Sequence, residues 1–226
     1  YVVTGSKIWT SQAHRADHIF FLVRTDPHAP KHRGISFLLS ETAVPGLRIE
    51  PIINMAGHHA FNQVFFDEVR VPKVNLVGEE NRGWYVAATL LDFERSGIDY
   101  PAQAQRALDE LIEYAKGVNG VAGQPLSEDP DTRRRLIDLQ IQVDATRGVA
   151  YEVADMQSRG EIPNKEASMA KTLGTRLVQD VHRFGVDLLG MYGQLRPGSY
   201  LSQLDGRMLD AQLGTVAYTI FAGTTE

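Results

Sequence analysis

The chain has 226 residues, 43% of them hydrophobic and 23% charged, which is apolar material for one large core or two smaller ones. Its 28 acidic residues outnumber 23 Lys and Arg, for a formal net charge of −5 with no run of Lys or Arg long enough to make a basic stripe, which argues against nucleic acid as a partner. No stretch approaches the ~20 apolar residues of a membrane span, and the lack of cysteine excludes disulfides, thiolate catalysis and Cys-ligated zinc and fits a cytoplasmic protein.

Taken in order, Tyr1-Val2-Val3-Thr4-Gly5 opens inside what reads as a strand, without an initiator Met. Ile19–Val23 and Ile35–Leu39 are short apolar runs bounded by Pro, Gly and charged residues, as buried strands are. Leu47–Glu50 and Val64–Phe66 are shorter candidates, punctuated by Pro27, Pro30, Pro45, Pro51 and Pro72. Strands without intervening helices predict an antiparallel β-domain over residues 1–78.

From about Asn81 the period becomes helical, with Trp84, Ala88, Leu91 and Arg95 along one row and the pattern resuming through Leu108–Tyr114. Gly117, Gly120 and Gly123 break it. A long helix is predicted from about Asp131 to Arg159, with Pro130 suited to a helix start. Another runs from about Asn164 to Leu189 and ends at Gly190-Met191-Tyr192-Gly193, and a shorter one is expected near Leu201–Leu209. Long helices on short loops predict a four-helix bundle for residues 79–226, giving an α+β chain of two domains. Glu226 closes the chain where a further helix is due to begin, so both ends read as cut.

Four motifs follow one another along this frame: Gly5-Ser6-Lys7-Ile8-Trp9-Thr10-Ser11, Lys31-His32-Arg33-Gly34-Ile35-Ser36-Phe37-Leu38, Phe61–Pro72 and Val77-Gly78-Glu79-Glu80-Asn81-Arg82-Gly83-Trp84. In this order and spacing they resemble acyl-CoA dehydrogenases, most closely long-chain and actinobacterial-type members. The likeness covers the second half of the family's β-domain and most of its C-terminal helical domain. It implies FAD as cofactor, an acyl-CoA substrate, an electron-transfer flavoprotein as onward acceptor, and a homo-oligomer or a hetero-oligomer with a homologous subunit.

A Trp face suits an isoalloxazine ring, and a neighbouring hydroxyl or amide can hydrogen-bond its edge near N5. The resemblance puts Trp9, Thr10 and Ser11 there; read alone, Trp9 is a core aromatic at a strand end. The chemistry also needs a carboxylate for the thioester α-proton while the β-hydrogen leaves as hydride to flavin N5. Most of the family carries it before a Gly-Thr near the C-terminus, where this chain has Ala222. Others carry it in the first helix of the C-terminal domain within Leu-x-x-Glu-Arg, which Leu91-Asp92-Phe93-Glu94-Arg95 matches. The resemblance therefore makes Glu94 the base and sets Asp92 and Arg95 beside the acyl-CoA; otherwise these are a charged helix face.

Val186–Gly193 resembles the family's Gln-x-Leu-Gly-Gly-x-Gly loop, which supports the adenosine half of FAD in a neighbouring subunit. Asp187, Gly190 and Met191 fall in it, Asp187 in place of the usual Gln and Met191 in place of the second Gly. Gly223, Thr224 and Glu226 match the segment that contacts FAD in the same subunit. The family's Arg-x-x-Phe-Gly segment, whose Arg meets the flavin pyrophosphate across the dimer, is replaced by Tyr114–Leu126 without its Arg and Phe. That departure opens a second reading, a non-catalytic or half-site subunit of a heteromer, as in members acting on sterol side chains. The histidines, His182 included, show no metal-ligand spacing with carboxylates and are expected at surfaces or turns.

Overall fold

In the computed structural model the described residues are 1–94 and 97–225, and the side chains of 92–94 are not among what is described. The chain forms two compact units, Tyr1–Leu91 and Asp92–Glu226.

The first unit holds two three-stranded antiparallel sheets. One has the order β1 (Val2–Ser11), β5 (His59–Arg70), β4 (Leu47–Ile53). The other has the order β2 (His18–Arg24), β3 (Ile35–Glu41), β6 (Leu76–Val77). Alternation along β5 turns Asn62, Val64 and Phe66 inward. Phe66 meets Phe21 of β2 at a ring-centroid distance of 4.6 Å, within a core that also takes in Ile19, Leu38, Val69 and Val71. The strands are antiparallel as predicted, with only the 3-10 turns Ala13–Arg15 and Lys73–Asn75 as helical structure between them.

The approach to the first helix is pinned by side chains. Thr25 Oγ1 donates to Asn81 Oδ1 at 2.6 Å, and the Asn81 N–H donates to the Ser36 hydroxyl at 2.9 Å. Gly83 then passes so close to β3 that a Cβ would lie 2.3 Å from the Phe37 nitrogen. Only glycine fits there, and α1 (Gly83–Glu94) starts at that point. The Trp84 and Leu91 members of its apolar row are solvent-facing rather than buried.

The second unit is a bundle of α2 (Asp99–Gly117), α3 (Pro130–Ser158), α4 (Asn164–Leu188) and α5 (Arg207–Thr215). Leu108 and Leu111 of α2, Leu139 and Val143 of α3, Leu177, Val178 and Val181 of α4, and Met208 of α5 share one core. Helix α4 is the centre, packed on the other three. Pro130 is the first residue of α3, and the Asp129 carboxylate caps it by accepting from the Thr132 N–H at 2.8 Å. The helix expected at Leu201–Leu209 begins later. Leu204, Asp205 and Gly206 all have left-handed backbone, so regular α-helix starts only at Arg207.

His182 overturns its expected surface or turn position: it is 9% exposed, inside α4. Its Nδ1 donates to the Val178 carbonyl at 2.7 Å, which assigns the proton to that nitrogen. Burial lowers its pKa, against smaller upward effects from the Val178 bond and from Glu110. The unfolded chain therefore binds this proton first. The histidine's contribution to stability is complete above its ordinary value of 6.5 and is lost as pH falls through the folded value. Urea midpoints measured from pH 8 to pH 5 should fall towards acid, and the slope should flatten in His182→Met.

Candidate functional site

In the first unit the candidate residues Trp9, Thr10 and Ser11 lie at the end of β1. Pairing with β5 shifts once between Val3 and Gly5, runs on to Lys7↔Val64, slips again, and resumes at Thr10↔Asn62 and Ser11↔Phe61. Trp9 sits in that bulge with φ of 62°, a left-handed conformation that costs a bulky residue energy, and Gln12 repeats it at 55°. The bulge turns the Trp9 side chain outward, 62% exposed, with its ring edge-to-face on Phe61 at 6.1 Å. Trp9 is thus no core aromatic. Beneath it Asn62 is fully buried, its Nδ2 donating to the Thr10 carbonyl at 3.0 Å. His14 and His59 stack beside it with centroids 3.7 Å apart. Motif reading passed over these three because their partners come together only when β1 and β5 pair.

In the second unit the tail is laced to α4. The Gln179 side chain donates to the Thr215 carbonyl at 2.7 Å, and Arg176 donates to the Thr225 carbonyl at 3.4 Å. Lys171, buried within α4, donates through Nζ to the Gly223 carbonyl, and burial lowers its pKa. Tyr218 packs edge-on against both Tyr100, at 6.0 Å, and Phe221, at 5.2 Å. Gly223 and Thr224 are exposed on this strapped segment, after Ala222 with φ of 54°. Asp187 is exposed in the last turn of α4, and Gly190 and Met191 follow in the 3-10 turn Gly190–Gln194, Met191 79% exposed. Glu94 is the last residue of α1. Its side chain, that of Asp92, and the whole of Arg95 and Glu226 lie outside the described residues.

The turn after α2 is a closed backbone structure. The Gly120 N–H donates to the Gln124 carbonyl at 2.8 Å and the Leu126 N–H to the Val118 carbonyl at 2.9 Å. Val121 projects into solvent at its tip. Nothing from Gly117 to Leu126 carries positive charge, and Lys116 is engaged by Glu113 at 2.7 Å. Among the described residues no group of three or more His, Asp or Glu could hold a metal ion, and no helix is long and apolar enough to cross a membrane.

Residues 1–69 match the family model for the acyl-CoA dehydrogenase middle domain, and residues 81–226 match that for the acyl-CoA dehydrogenase C-terminal domain. Acyl-CoA dehydrogenase FadE26 of Mycobacterium tuberculosis is 34% identical over 233 residues, covering 100% of this chain and 58% of the relative. Among solved structures, the ChsE4-ChsE5 complex from Mycobacterium tuberculosis is 34% identical with a TM-score of 0.89, covering 100% of this chain and 58% of that one. A protein described as Tcur3481-Tcur3483 steroid ACAD is 32% identical with a TM-score of 0.90, covering 99% and 57%. The chain spans somewhat over half the length of the curated relatives it matches.

Proposed function

This chain belongs to the acyl-CoA dehydrogenase family, and from that premise we propose that it oxidises an acyl-CoA thioester to the α,β-unsaturated product with FAD as cofactor. The observation that carries the reading is Trp9, an exposed flat aromatic held in strained backbone at a bulged strand end, with the Ser11 hydroxyl two residues on. Strain of this kind persists where the surroundings over-determine it and concentrates at functional sites. The flat isoalloxazine ring of a flavin fits such a face.

FAD, when bound, supplies the hydride acceptor. The protein's own part is to take the α-proton, and Glu94 does so. It ends α1, and the chemistry asks for a carboxylate that can accept the thioester α-proton. Ala222, in the family's other base position, has nothing to titrate. Asp92 and Arg95 shape the acyl-CoA side. Gly223, Thr224 and Glu226 meet the cofactor in the same subunit, while Asp187, Gly190 and Met191 serve the adenosine half held by a neighbour. The onward acceptor is an electron-transfer flavoprotein, the compartment cytoplasmic, and the acyl group of fatty-acid or sterol side-chain type; the neighbour described as a steroid ACAD supports the latter.

The turn from Gly117 to Leu126 favours a second reading. Without a cation it offers a neighbour's pyrophosphate no charge-assisted contact, as expected of a half-site subunit in a heteromer, and the neighbour described as a ChsE4-ChsE5 complex fits that picture. Flavin content of the full-length protein, purified alone and with a homologous partner, separates the two. FAD bound in the lone protein and bleached by acyl-CoA supports the homomeric enzyme. FAD bound only with the partner supports the half-site reading, and FAD in neither preparation sinks both.

A further inference from the structure

Asn62 is fully buried in the middle strand of its sheet, level with Thr10 on one side and Pro51 on the other. A carboxamide there is tolerated only when its polar atoms are satisfied. Nδ2 donates to the Thr10 carbonyl at 3.0 Å and to His14 Nδ1 at 3.2 Å, and Oδ1 lies 2.7 Å from His59 Nε2. The Thr10 carbonyl can only accept, which fixes the orientation of the amide. It follows that His59 carries a proton on Nε2 and His14 has none on Nδ1. The two imidazoles stack with an interplanar angle of 21° and brace the amide.

The carbonyl so held lies between the left-handed residues Trp9 and Gln12. Backbone pairing with β5 resumes after the bulge at Thr10↔Asn62 and Ser11↔Phe61, and the Gln12 N–H donates to the Ala60 carbonyl at 3.0 Å. The Asn62 side chain adds its own bond at the Thr10 carbonyl, next to Trp9. We propose that Asn62, braced by His14 and His59, is a positioning residue that fixes the Trp9–Ser11 edge against the flavin ring, acting through Thr10 without touching the cofactor. The inference rests on the reading that Trp9, Thr10 and Ser11 face the flavin.

The test uses the full-length, flavin-loaded protein with Trp84→Phe, the Trp9 emission being read as the difference from the same protein carrying Trp9→Phe. Asn62→Asp keeps shape and acceptors and removes both donors. The flavin should stay bound while its visible band and the Trp9 emission shift. The kcat for acyl-CoA should drop about 10- to 100-fold, with KM changed less than about twofold. His59→Leu should act in the same direction, whereas His59→Gln, which keeps an N–H for Oδ1, should restore the wild-type spectra. If Asn62→Asp does not fold, the two His59 variants decide by the same readouts.

Wild-type flavin band, Trp9 emission and kcat in folded Asn62→Asp and His59→Leu would overturn the positioning role. Trp9→Phe and Ser11→Ala are the control on the underlying reading. If they shift the flavin band while Asn62 and His59 variants do not, only the positioning role falls. If they too leave the band unmoved, the flavin-facing reading falls and takes it along.

Discussion

Glu94→Gln should leave FAD bound and abolish the bleaching of the flavin by acyl-CoA. The substitution keeps the side chain's length and shape and removes only its capacity to accept a proton, so binding and stability should hardly move. A positioned general base contributes about 10²- to 10⁴-fold to rate, and with Ala222 in the alternative position this chain has no second family-consistent carboxylate to take over. The reduction rate should fall by that order while apparent acyl-CoA affinity stays near wild type, the signature of an interaction made in the transition state. Anaerobic mixing with acyl-CoA, followed at the flavin band beside the FAD-to-protein ratio, reads both quantities. Undiminished bleaching in a flavin-replete variant would place the base on another residue.

Much of the frame was legible from periodicity. Ile19–Val23 and Ile35–Leu39 lie within β2 and β3, and the two long predicted helices match α3 and α4 to within a residue or two at each end. The short helix near residue 201 was misplaced because consecutive left-handed residues, Leu204, Asp205 and Gly206, delay it, and nothing in an apolar pattern marks such backbone. His182 shows a different failure. It lies four residues after Val178 on the face of α4 that buries Val178, Val181 and Gly185, so the helical period already pointed inward. Polarity argues for the surface, but the period prevails, and it does so again at Lys171, buried four residues before the buried Thr175 on the same helix. The Asn62 network was not readable at all: His14 is 48 residues away in sequence, and the contact exists only once β1 and β5 pair. A motif can point to Trp9, Thr10 and Ser11, but the contacts that hold them exist only in the paired strands.

The glycines of the turn after α4 can be sorted by one experiment into those the fold needs and those a cofactor needs. By resemblance this loop is read as a support for a neighbour's FAD, which treats its glycines as room for a phosphate. Gly193 does not fit that account alone. A Cβ there would lie 2.2 Å from the Val186 carbonyl oxygen and 3.0 Å from the Val186 carbonyl carbon and Cα, so the chain itself occupies the space. Backbone cannot swing aside as a side chain can, and forced overpacking of this kind costs roughly 1–3 kcal/mol. Gly190 contrasts with it: a Cβ would meet nothing within 4 Å, and its φ of 56° leaves only the left-handed penalty, about 1–2 kcal/mol for an ordinary residue. Gly193→Ala should therefore lower the melting temperature of flavin-free protein, by about 2–4 °C for each kcal/mol in a chain of this size, and by more than Gly190→Ala does. Because the distortion sits between the last turn of α4 and the 3-10 turn that carries Met191, it should also weaken FAD retention in the assembled oligomer. Thermal melts with and without FAD separate the two effects. A Gly193→Ala protein that melts like wild type without FAD and differs only when loaded would return this glycine to the phosphate.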